Sequence, residues 1–152
     1  MLRASIQCLS AVGLIVALAG CTQQAAEVAE YAVPNENILV VIRREPMHPF
    51  LAEYKRVLEV RASGAIATRE LFPDTGGYGR INLYRLGRSG LLLRGFFETW
   101  VIDIPSGGIR NATSAALAPE QMEYVGAFDE TNDNWRFFYS DERPEVALIP
   151  KS

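Results

Sequence analysis

Histidine and cysteine are nearly missing from this chain. His48 is the single histidine, and the two cysteines, Cys8 and Cys21, both lie near the N-terminus. Beyond Cys21 there is no thiol for a disulfide, a thiolate nucleophile or a soft metal. A zinc centre would have to combine His48 with carboxylates alone, an unusual ligand set. His48 itself sits between Pro46 and Pro49 in EPMHPF, where an exposed turn is the expected setting. Basic clusters are missing too. The formal net charge is −3, and no stripe of Lys and Arg marks a surface for nucleic acid or anionic headgroups. No apolar run reaches the roughly 20 residues of a membrane-spanning helix. The residues thus point to no metal, no cofactor and no nucleic-acid partner.

What is present begins at the N-terminus. Arg3 and the free amine make a short positive end, Leu9 to Ala19 is almost wholly apolar or small, and no acidic residue precedes Glu27. That order is a secretory signal. The run LIVALAGC (14–21) stops at a cysteine and is followed by polar TQQ. Leu18-Ala19-Gly20-Cys21 resembles the lipobox of bacterial lipoproteins, L-[AS]-[GA]-C, at all four positions. The resemblance implies that residues 1–20 are a signal peptide and that the Cys21 sulfur takes a diacylglyceryl group. A peptidase then cuts before Cys21, whose new amine is usually acylated. Loss of Arg3 takes the charge from −3 to about −4, and with the one remaining cysteine committed to lipid no intramolecular disulfide is available. A single acyl chain binds membranes marginally, whereas two or three hold stably, so the anchor suffices without any protein–lipid surface. Thr22, where aspartate would favour inner-membrane retention, makes the outer membrane facing the periplasm the expected location.

Residues 21–36, running to Pro34-Asn35, read as the lipidated cysteine and a tether, with room for a helical turn over Ala25 to Tyr31 too short to stand alone. Roughly 115 residues follow the tether, enough for one domain with its own core; 37–145 read as one β-rich domain and 146–152 as a tail. NILVVIRR (37–44) is a β-branched, buried strand. EYKRVLEVRASGAIATRELF reads as a hairpin folded at Ser63-Gly64, with Leu58 and Val60 on one face; a helix over 50–61 is the rival. LFPDTGGYGR (71–80) is a loop by composition. INLYRL, LLLRGF and ETWVIDI follow, the last placing Trp100, Ile102 and Ile104 on one face. Residues 110–122 are the least regular stretch, with a possible short turn at Pro119. EYVGAF and NWRFFYS, joined by DETNDN, close the domain. Eight or nine short strands imply a mostly β, antiparallel meander: a sandwich, a barrel or a rolled sheet. No internal repeat supports a propeller.

Two features are candidates for function. In PDTGGYGR, Asp74-Thr75-Gly76 resembles the catalytic triplet of aspartic proteases, in which paired aspartates share a proton. One triplet is present, so a single-chain two-lobed enzyme is excluded and a half-length dimeric protease stays formally open; Phe72-Pro73 stands where the family has an apolar strand. The alternative is a tight turn in which Asp74 bonds its own backbone while Gly76 and Gly77 take positive φ beside Tyr78. The other candidate is aromatic. Strand parity turns about half of Phe96, Phe97, Trp100, Trp135, Phe137, Phe138 and Tyr139 inward, and leaves Phe97 and Phe138 as the ones expected to face solvent or a partner. Asn111-Ala112-Thr113 fits a glycosylation sequon, without meaning in a bacterial lipoprotein.

The expectation is therefore a membrane-anchored envelope lipoprotein with a non-catalytic binding or structural accessory domain whose aromatics could meet an envelope protein partner. An envelope hydrolase using Asp74 and an inhibitor or immunity-type lipoprotein stay open as alternatives.

Overall fold

Period-two alternation becomes ten strands in the computed structural model, which describes residues 25–112 and 122–148. They are β1 (Glu27–Ala32), β2 (Ile38–Pro46), β3 (Tyr54–Ala62), β4 (Ala65–Asp74), β5 (Ile81–Leu86), β6 (Gly90–Arg94), β7 (Thr99–Asp103), β8 (Ile109–Asn111), β9 (Met122–Thr131) and β10 (Asn134–Tyr139). The chain is mostly β, in two open antiparallel sheets. The first is a meander, β1-β2-β3-β4; the second runs β10-β9-β5-β6-β7-β8. The meander expected throughout is broken once: β9 returns to pair with β5, Ile81 opposite Phe128. Pairing the apolar β9 on the open side of β5 makes β5 a central strand, and its residues 81–84 are buried on both faces.

Turn chemistry sets the hairpins. Ser63 (φ 47) and Gly64 (φ 82) form the two-residue β3–β4 turn, and Asn132 (φ 50) with Asp133 (φ 58) form that of β9–β10. Two positive φ values in succession match the right-handed twist of the flanking strands. The hairpin at Ser63-Gly64 is as expected, and residues from Tyr54 are strand rather than helix.

One core joins the two sheets. Val40, Ile42, Leu58 and Val60 from the first meet Leu83, Leu91, Leu93, Ile102, Phe128, Trp135 and Phe137 from the second. Trp135 Nε1 donates to the Ile42 carbonyl across the gap at 3.3 Å, and Tyr31 of β1 packs on Phe137 of β10 at 4.7 Å between ring centroids. β1 is a correction: residues 27–32 of the expected tether are part of the fold. EVAEYA alternates, and its parity buries Ala29 and Tyr31. Likewise β4 extends through Asp74, into the expected loop.

The expected tail, 146–152, is a second correction over its described residues, 146–148, while 149–152 lie outside them. Residues 143–146 cross the outer face of the six-stranded sheet and are pinned there. Arg80 Nη2 donates to the Pro144 carbonyl (2.6 Å), Asn82 Nδ2 to the Val146 carbonyl (2.9 Å) and the Tyr84 hydroxyl to Glu145 (2.7 Å). Burial, then the bond to Glu145, pushes the Tyr84 phenol up to about 12, so it stays a donor. Leu148 is buried as well.

Candidate functional site

One end of the molecule gathers three loops: 47–53 between β2 and β3, 75–80 between β4 and β5, and 95–98 between β6 and β7. Two arginines sit on core-facing parity beneath them. Arg56 precedes Leu58 and Val60 at intervals of two, and Arg44 follows Val40 and Ile42 in the same way; both are buried. A charge on a core face must find partners, and each does.

Arg56 ties the loops together. Its Nε and Nη2 donate to the Phe72 carbonyl at 2.8 and 2.6 Å, and its Nη1 donates to the Gly79 carbonyl at 3.0 Å. Its Nη2 also lies 3.4 Å from Glu98 Oε1. Glu98 is filled by further donors, the Phe72 amide at 3.0 Å and Trp100 Nε1 at 2.8 Å. Burial lowers the Arg56 pKa, while Glu98 and Asp74 oppose the shift.

Asp74, 6% exposed, shapes the next loop. Its Oδ1 accepts from the Gly76 amide at 3.1 Å and the Tyr78 amide at 3.3 Å. Gly76 (φ 95) and Gly77 (φ 88) take the left-handed conformation that glycine adopts without steric cost. A Cβ on Gly79 would lie 2.5 Å from Asp74 Oδ2, so the backbone comes close to the carboxylate only because that residue is glycine. This is the self-bonded turn expected as the alternative to a protease-like triplet. Thr75 lies in the loop between Asp74 and the two glycines.

Beside this network the aromatics form a contiguous cluster. Tyr78 packs edge-on against Phe96 (4.9 Å) and Phe97 (5.4 Å), and Phe97 lies 5.7 Å from Phe72. Phe72 and Phe97 are 55% and 51% exposed. They border an open cleft of about 360 Å³ with Pro73 and Trp100, and with Glu70, Glu98 and Asn111 as polar lining. Phe97 is thus exposed as expected. Phe138 is not, being 6% exposed. It does point away from the core, but the Arg136 guanidinium lies 3.8 Å and that of Arg143 5.5 Å from its ring centroid. Arg136 of the same strand and Arg143 of the returning C-terminal segment cover a position that strand parity alone leaves open.

Arg44 closes the same end of the core. Its guanidinium lies between the rings of Tyr54 (4.2 Å) and Trp135 (4.7 Å). Nε bonds Glu27, and Nη1 bonds Glu130 at 2.7 Å. Burial works against its charge, and the bonds to Glu130 and Glu27 more than offset this, so its pKa is raised.

His48 lies in the exposed 47–53 loop, where its Nδ1 accepts from the Phe50 amide at 3.2 Å. No group of three or more His, Cys, Asp and Glu side chains suited to a metal occurs among the described residues. Cys21 and the irregular stretch at Pro119 lie outside the described residues. No protein-family model, curated protein or solved structure matches the chain.

Sequence reasoning reached the Asp74 turn and Phe97 but missed Arg56, Glu98 and Phe72. The signal for Arg56 was in its spacing: a charge two residues before Leu58 and four before Val60 belongs on the core face. Glu98 gave no comparable signal, since its partners come from β3, β4 and β7.

Proposed function

We propose that this protein is a lipid-anchored lipoprotein of the bacterial envelope whose β-sandwich is a non-catalytic binding module. Its site is the cleft bordered by Phe72, Phe97 and Trp100. The anchor reading rests on Leu18-Ala19-Gly20-Cys21, with the outer membrane facing the periplasm as the location. The observation that carries the binding reading is how the charged groups at the cleft are used. The Glu98 carboxylate takes Arg56, the Phe72 amide and Trp100 Nε1, and Asp74 takes two loop amides. Glu98 and Asp74 are used up in building the walls, Glu70 stays exposed at the rim beside Lys55, and the rest of the open surface is largely apolar and aromatic. Such a surface, with a few polar groups at its lining, fits an apolar or aromatic side chain of an envelope protein partner.

Cys21→Ala tests the anchor: the variant is expected to leave the detergent phase, and recovery there equal to the natural protein refutes it. A photo-crosslinking residue at Phe97 tests the cleft. In cells it is expected to give a discrete adduct that Trp100→Ala weakens, while the same probe at Arg88, on the β5–β6 turn at the opposite end, gives none. Equal adducts from both positions refute the cleft as the binding site.

A further inference from the structure

Apolar exposure at the loop-bearing end extends past the cleft. The 47–53 loop projects Met47, Phe50 and Leu51, and Phe50 is 88% exposed. Single exposed apolar side chains are ordinary, but three within five residues at a hairpin tip form a patch. The loop is held in shape: the Met47 amide donates to the Glu53 carbonyl at 2.8 Å, and the His48 ring lies 5.9 Å from that of Phe50. Its Ala52 carbonyl approaches Gly76 of the next loop, 4.0 Å from where a Cβ would stand. Tyr78 of that loop packs on Phe97 of the third. An apolar rim therefore runs across three neighbouring loops.

The chain enters the fold at this same end. Glu27, the first residue of β1, pairs with Arg44, two residues before the end of β2 at Pro46. Six residue steps separate Cys21 from Glu27, which an extended chain spans in at most about 20 Å. The opposite end, with the Ser63-Gly64 turn, lies a full strand farther away, and strands of nine or ten residues run about 30 Å. Geometry thus keeps one end near the lipid and the other away from it.

We infer that the 47–53 loop is a membrane contact, inserting Met47, Phe50 and Leu51 into the leaflet that holds the Cys21 lipid. The inference rests on the lipoprotein reading above. The loop is flanked by Glu45, Glu53 and Lys55, with no excess of positive charge, so attraction to anionic headgroups does not drive the contact. Apolar burial in the interface does, and it operates on zwitterionic lipid and persists in high salt. The lipid chains supply the attachment, and the loop fixes which way the domain faces.

The test uses the full mature protein in phosphatidylcholine vesicles. Phe50→Cys and Arg88→Cys are each labelled with an environment-sensitive fluorophore. Both positions are exposed, and acylation leaves the new thiol as the one available to react. Bromine-labelled acyl chains then quench the probe. Quenching at position 50 is expected to exceed that at position 88 severalfold and to be unchanged by added salt. The mass of the N-terminal peptide is read from the same preparation. An acylated protein whose probes are quenched equally overturns the membrane contact and leaves the lipoprotein reading standing. An N-terminal peptide without lipid overturns both.

Discussion

Replacing Arg56 with methionine removes the hub of the loop-bearing end while keeping most of the side chain's length. Methionine can fill the space of the aliphatic stem, so the loss is chiefly polar. The Phe72 and Gly79 carbonyls each lose a donor within 3.0 Å. Glu98, whose side chain is 6% exposed, loses its counter-charge but keeps the Phe72 amide and Trp100 Nε1. An orphaned buried polar group costs about 1–3 kcal/mol, and breaking a buried ion pair by removing one partner costs about 3–5 kcal/mol. These contributions overlap, because Glu98 is only partly orphaned, so a loss of about 4 kcal/mol is expected. With a urea dependence of about 2 kcal/mol per molar, the unfolding midpoint falls by about 2 M. The assay is urea titration followed by far-ultraviolet circular dichroism. Adding Glu98→Gln to Arg56→Met is expected to recover part of the loss, since a neutral amide needs no counter-ion. A loss below about 1 kcal/mol, the value of an exposed ion pair, would refute the role given to the guanidinium.

Three further outcomes are expected. Gly126→Ala places a Cβ 2.1 Å from the Phe138 carbonyl oxygen and 2.8 Å from the Phe137 ring, so β9 and β10 must separate locally; a loss of about 3 kcal/mol, at the upper end for overpacking, is read from thermal unfolding. Gly76→Val forces a β-branched residue to φ 95 at about 1–3 kcal/mol, whereas Asp74→Asn costs less because its Oδ1 still accepts both loop amides; the opposite order in melting temperature contradicts the turn assignment. Glu130 titrates below its ordinary value of 4.5 because Arg44 donates to it. The stability it contributes is therefore complete above that value and is lost as pH falls through the lower folded value. Glu130→Gln is expected to flatten the acid limb of a stability–pH curve, and an unchanged slope argues against the coupling.

The strands were legible because their residues alternate and their turns carry the right chemistry. ETWVIDI gives its face assignment directly, and Ser63-Gly64 gives the hairpin. Legibility failed where a distant segment supplied the missing partner. EVAEYA is mostly glutamate and alanine, with its one β-branched residue, Val28, on the exposed face, and does not announce a strand until Ala29 and Tyr31 find the core. Phe138 has the parity of an exposed residue and is covered by Arg136 and by Arg143 from the returning C-terminal segment. The pairing of β9 with β5 likewise depends on which edge is free after β6, β7 and β8 have formed. At the site, the Asp74 turn is local and could be read, while the contacts of Glu98 are not local.

The return of β9 to β5 sets an order of events for a chain that emerges N-terminus first. The four strands of the first sheet are neighbours in sequence and can pair as they appear. β5 cannot: its second edge waits until residues 122–131 have arrived, and until then a nearly continuous apolar strand has unpaired amides and carbonyls along that side. Unpaired edges of this kind are templates for wrong partners, and pairing across long sequence separations is slow. The bonds from Asn82 and Tyr84 to residues 145 and 146 form later still. The last stretch of the chain is therefore what seals the second sheet, and the interval before it arrives is when the protein is most exposed to aggregation.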